Sequence, residues 1–200
     1  MGNRCTRPKT KDDIYSTPRL RESTNKSTVK INLSGNNLTD RDIPDRIEEA
    51  MRETKYELSL SRNRITSDGV EKLVNFLKTK ENVAHLDLSS NTIGDDAIDY
   101  IVDLIRNNKS LSHLSLENTN ITNRGVVKIK DVLISNPTSI RFLDLRSNEG
   151  ITDSSVEAFL EIAEKNKTLS GCYLDGCGLA RESKKLPGAQ SIQWYLHKNT

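Results

Sequence analysis

The sequence predicts an α/β solenoid, a stack of strand-plus-helix units with parallel strands on a concave face and helices on a convex face. Three observations carry that prediction. Residues 83–93, VAHLDLSSNTI, set Val83, Leu86, Leu88, Asn91 and Ile93 in the pattern L-x-x-L-x-L-x-x-N-x-L. The pattern recurs, with its second strand leucine at 33, 60, 88, 116, 145 and 174, in steps of 27, 28, 28, 29 and 29 residues. Between copies the apolar spacing changes from two to that of a helix. A unit this short buries little alone, so the copies must stack and share one interior.

Each unit starts with a strand. Leu86 and Leu88 alternate with polar residues, so both face the core, and Asn91 follows where the chain turns. Equivalent sets are Ile31-Leu33-Asn36-Leu38, Leu58-Leu60-Asn63-Ile65 and Leu114-Leu116-Thr119-Ile121. Leu143-Leu145-Asn148 follows, with Ile151 one place late, and then Cys172-Leu174-Cys177-Leu179. The helices come next: Gly69, Leu73 and Leu77, then Ala97, Ile101 and Ile105, then Gly125, Ile129 and Leu133 make inner stripes. The small residue of each stripe is expected where helix and strand approach closest. A first helix is expected over residues 44–53, with Pro44 in its first turn and Ile47, Ala50 and Met51 on one stripe. Six repeats result, with a truncated seventh in residues 191–199: Trp194-x-Leu196-x-x-Asn199 repeats the strand core, with Trp194 and Leu196 inward. A short capping helix is the other reading of this closing segment, and the cap is expected from about residue 180.

With these motifs the chain resembles the ribonuclease-inhibitor type of leucine-rich repeat, whose repeats are long and carry a full helix. The resemblance covers residues 29 to about 180 and implies the fold, while the function of such a fold lies in its exposed residues. The repeats also look like those of two other long-repeat families, which imply further classes. One is the Ran GTPase-activating proteins, which carry more repeats and an acidic tail that this chain lacks. The other is the tropomodulin-like proteins that cap cytoskeletal filaments.

Composition agrees with a chain in water. Apolar residues make up 34% and charged residues 29%, and no apolar run approaches a membrane span. No signal-peptide segment follows Met1, so secretion by that route is not expected. Cys172 and Cys177 occupy repeat positions and read as small packing residues, not as a disulfide or metal site.

The net charge of +2 hides a division. Residues 1–30 carry eight basic against three acidic residues, while the remainder carries 22 basic against 25 acidic. Residues 1–28 therefore read as a flexible basic tail, and residues 29–200 as the repeat domain. The tail opens MGNRCT, which places Gly2 and Thr6 in the N-myristoylation pattern and Cys5 within reach of a palmitate. One myristate binds membranes only marginally, on the order of 10⁴ M⁻¹, so the second chain or the basic residues must reinforce it. These features predict a peripheral lipoprotein at the cytoplasmic, inner face of a membrane.

Function is expected on the concave face, in residues that flank the strand leucines and do not hold the fold. They include His85, Asp87, His113, Glu117, Phe142, Asp144, Arg146, Tyr173, Asp175 and Tyr195. Exposed aromatics amid charge are the usual anchors of an interface. The carboxylates point to a protein partner with a basic patch, bound by a monomer of this chain. His85 and His113 share a column on adjacent strands, and protonation near pH 6.5 would tune partner affinity. Asp87 and Glu117 lie near them, yet nothing else completes a metal site, so no metal and no cofactor are expected. No phosphate loop, H-E-x-x-H or nucleophile elbow occurs, and the expectation is no enzyme. Nucleic acid is likewise not expected, because the basic residues sit in the tail and the broad face is acidic.

Overall fold

The computed structural model describes residues 28–51, 56–78, 80, 82–135 and 137–180, and the backbone of residues 193–195. The expected lipidation residues Gly2 and Cys5 lie outside these, as do the linker and the segment from residue 181 to 192.

Among the described residues, seven strands form one parallel sheet in chain order: β1 (Val29–Asn32), β2 (Tyr56–Ser59), β3 (Val83–Asp87), β4 (His113–Ser115), β5 (Phe142–Asp144), β6 (Gly171–Tyr173) and β7 (Gln193–Tyr195). Between them, among the described residues, lie five α-helices: α1 (Asp45–Ala50), α2 (Ser67–Leu77), α3 (Ile98–Asn107), α4 (Asn123–Ser135) and α5 (Val156–Lys165). The register aligns Ile31, Leu58, Leu86, Leu114, Leu143, Cys172 and Trp194 in one row. Leu58, Leu86, Leu114 and Leu143 are each at most 2% exposed in a single continuous core. The repeat spacing thus sets the register, because a slip by one residue would turn every core leucine to solvent. At the chain's end, β7 pairs in parallel with β6, as the seventh strand core predicts. The side-chain directions expected for Trp194 and Leu196 fall outside the described residues.

Asparagines close the turns. Asn91 Nδ2 donates to the carbonyls of Leu60 (3.0 Å) and Leu88 (2.9 Å), and Asn91 Oδ1 accepts from Ile65 N–H. Asn63 and Asn148 make the equivalent bonds one repeat earlier and two later. Each amide therefore bridges two repeats and satisfies backbone groups that the turn would bury unpaired. At the variant positions the bonds differ: Thr119 Oγ1 donates to its own repeat's Leu116 O, whereas Cys177 Sγ reaches Leu145 O of the preceding repeat. Cys172 and Cys177 are both buried.

The turn has a second requirement that the leucine pattern does not display. Two residues beyond the second strand leucine, Gly35, Arg62, Ser90, Asn118, Ser147 and Gly176 all have positive φ, between 52° and 73°. In the five from Gly35 to Ser147, the backbone N–H continues the sheet ladder onto the next repeat, at 2.8–2.9 Å. At the opposite corner, between helix and strand, Asn108 Oδ1 accepts from Ser110 and Leu111 N–H, and Asn166 Oδ1 from Thr168 and Leu169 N–H.

Two details differ from the sequence reading. The first helix is shorter, α1 ending at Ala50, with Pro44 at the N-cap just before it. Ala50 is exposed there, and Ile43 joins Ile47 in the core instead. In the second case, the small residues Gly69 and Gly125 face the preceding repeat's helix entrance as well as their own repeat's isoleucine. A Cβ on Gly125 would lie 2.5 Å from Asp95 Oδ1 and 2.8 Å from Ile121 Cγ2, and one on Gly69 would collide with Asp40. Those carboxylates are occupied: Asp40 accepts from Thr66 N–H (2.8 Å) and Oγ1 (2.6 Å), and Asp95 from Thr122 N–H (2.9 Å).

Candidate functional site: the concave face

The strand residues between the core rows form two columns on the concave face. The first runs Lys30, Glu57, His85, His113, Phe142, Gly171, Gln193, and the second Asn32, Ser59, Asp87, Ser115, Asp144, Tyr173, Tyr195. His85, Asp87, His113, Phe142, Asp144, Tyr173 and Tyr195 occupy these register positions, Tyr195 by backbone alone, while Glu117, Arg146 and Asp175 lie in the turns beyond the strands. Gly171 is buried and contributes no side chain to the column.

The first column is aromatic at its centre. The His85 and His113 rings lie 3.9 Å apart between centroids, tilted by 43°, and His113 stacks on Phe142 at 4.6 Å and 25°. All three side chains are half-buried. Strands about 4.8 Å apart dictate such a stack once planar residues occupy neighbouring register positions. His113 Nδ1 is hydrogen-bonded with Ser112 Oγ at 2.8 Å. The carboxylate beside His85 is Glu57, with Oε1 3.7 Å from Nδ1, and Lys30 Nζ holds the other Glu57 oxygen at 3.0 Å. Glu57 was legible as the preceding register partner of His85, though Asp87 and Glu117 looked nearer in sequence.

Burial and the adjacent His85 ring lower the His113 pKa from 6.5 to about 4, with Glu57 opposing and Arg141 adding to the shift. His113 is therefore neutral near pH 6.5, which corrects the expectation that both rings titrate there. The missed signal is the column itself, because a ring between two others loses water on both faces.

The second column and the turn residues beyond it are polar and self-paired. Arg146 lies against Asp144, with Nε at 2.9 and 3.0 Å from its two carboxylate oxygens and Nη2 at 2.5 Å from Oδ2. Arg146 Nη2 also reaches Glu117 Oε2 at 3.0 Å, and the guanidinium sits 5.8 Å from the Tyr173 ring centre. Burial raises the Glu117 pKa, with Arg146 opposing and Asp144 and Asp87 adding to the rise. Asp87 accepts from Ser59 Oγ (2.8 Å), Ser89 Oγ (2.5 Å) and Ser89 N–H (3.0 Å). Ser59 Oγ is in turn 2.9 Å from Ser34 Oγ. Asp144 and Glu117 thus carry less outward field than their sequence suggests, since one guanidinium serves both. Asp175 follows in the turn after β6 and is half-buried.

The face is therefore a row of rings beside a hydrogen-bonded polar strip, open along its length. Among the described residues, no group of three or more His, Cys, Asp or Glu is arranged to hold a metal ion. No described helix is long and apolar enough to cross a membrane.

The leucine-rich repeat family model matches residues 57–74, 80–102, 107–130 and 136–160. No curated protein matches the chain. Four tandem matches fall in step with the strands and helices from β2 to α5, and the chain is a leucine-rich repeat protein.

Proposed function

We propose that the chain is a non-enzymatic interaction module, with repeats of the ribonuclease-inhibitor-like type, that docks a protein partner on its concave face. The observation that carries this reading is the half-exposed row His85–His113–Phe142, set across three strands beside Tyr173. None of these side chains belongs to the leucine interior, and rigid aromatics with restrained polar neighbours are the usual centre of an interface. Five carboxylates at the face's outward positions, Glu57, Asp87, Glu117, Asp144 and Asp175, against Lys30 and Arg146 favour a partner with a basic patch. Acyl chains on Gly2 and Cys5 would hold the module, as a monomer, at the cytoplasmic face of a membrane, bringing the partner to that surface.

The docking reading is tested by capturing partners with the wild-type chain, with a Phe142→Ala/Tyr173→Ala double variant and with a convex-face control, Asn75→Lys. A specific partner is retained by wild type and by Asn75→Lys and lost by the double variant. Equal capture by all three contradicts the reading. Intact-mass measurement of protein made in a eukaryotic host tests acylation, and an unmodified Gly2 would remove the membrane tether.

A further inference from the structure

We propose that His85 and His113 form a single-proton site that makes docking on the concave face sensitive to acid, an inference that rests on the docking reading above. The two residues are register partners on β3 and β4, and their rings touch at 3.9 Å. Two imidazolium charges at that separation oppose one another, so the pair accepts one proton far more readily than two.

The surroundings decide which ring carries it. From β2, Glu57 places a carboxylate oxygen 3.7 Å from His85 Nδ1, while Lys30 on β1 takes the other oxygen. His113 sits between His85 and the Phe142 ring, with its Nδ1 bonded to Ser112, and Arg141 just before β5 adds an opposing positive charge. In the neighbouring column and turns, Asp87 is held by Ser59 and Ser89, and Asp144 and Glu117 by Arg146. The charge therefore goes to His85, and His113 remains a neutral ring stacked on Phe142. The lowered pKa of His113 agrees with this assignment.

A neutral pair offers the partner an uncharged row of rings continuous with Phe142. Protonation puts a cation in that row, which docking must strip of water and set against a basic partner. Acid therefore weakens docking.

The first test is a histidine-ring NMR titration of the full chain, assigned with His85→Gln and His113→Gln. His85 is expected to take up its proton before His113, which stays neutral until near pH 4. In His85→Gln the His113 midpoint moves up, because a neighbouring cation is gone. In Glu57→Gln it moves down. Two independent midpoints near 6.5, each indifferent to loss of the other ring, would overturn the proposal. This titration is read on the protein alone, so its result does not depend on partner binding. With a partner from the capture experiment, affinity is expected to fall at least threefold between pH 7.5 and pH 5.5, roughly the span in which imidazole charges. A flat profile in wild type would also overturn it.

Discussion

Phe142 lies nearly flat on His113, with ring centroids 4.6 Å apart and planes inclined by 25°. Burial is the largest cause of the lowered His113 pKa. Phe142→Ala opens one side of that imidazole to water, so its midpoint is expected to rise from about 4 toward 6.5. An NMR titration of the variant reads this directly, and an unmoved midpoint would show that Phe142 does not shield the ring.

The same shift sets a pH dependence of stability. The folded-state pKa of His113 lies below its unfolded value of 6.5, so the unfolded chain binds more protons between about pH 4 and pH 6.5. Stability contributed by neutral His113 is full above this window and is lost as pH falls through it. His113→Gln is expected to flatten that part of a urea-denaturation profile, and an identical slope in the variant would count against the assignment.

Arg146 holds two carboxylates, Asp144 and Glu117, that would otherwise face one another. Arg146→Ala is expected to cost about 1.5–3 kcal/mol at pH 7, in the range for hydrogen bonds to charged groups. Glu117 protonates more readily than an ordinary glutamate, and loss of Arg146 strengthens that tendency. The deficit should therefore shrink as pH is lowered toward 5, which denaturant melts at the two pH values would detect.

Asn91 bonds carbonyls in two repeats and an N–H in one of them. Asn91→Ala leaves these groups buried without the amide, and is expected to destabilise the domain by roughly 2–4 kcal/mol. At the turn, Ser90 has φ of 55°, a left-handed conformation that glycine adopts without steric cost. Ser90→Gly relieves a left-handed penalty of about 1–2 kcal/mol against glycine's entropic cost of about 0.5–1 kcal/mol, so it is expected to be neutral or to stabilise by up to about 1 kcal/mol. Chemical denaturation separates the neighbouring variants by the sign of their effects.

Fold and register were legible because burial writes itself into the spacing of apolar residues. Leu58, Leu86, Leu114 and Leu143 announce a shared interior, and the concave columns follow by counting from them. The left-handed turn was harder to see, since Arg62, Ser90 and Ser147 occupy a place where Gly35, Asn118 and Gly176 signal the backbone. Contacts between columns were also hidden. That Arg146 serves both Asp144 and Glu117, or that Glu57 is the carboxylate nearest His85, depends on side-chain reach across strands. The exposed Ala50 shows the limit of helical periodicity at a terminal repeat, where a six-residue helix has little to pack against.

The claim on which the functional account rests is that the aromatic row grips another protein. Its most direct measurement is the affinity of a captured partner for wild type, for Asn75→Lys and for Phe142→Ala/Tyr173→Ala, with circular dichroism confirming each fold. The account predicts a loss of at least tenfold, about 1.4 kcal/mol, in the double variant and none in Asn75→Lys. Unchanged affinity in a folded double variant would contradict it.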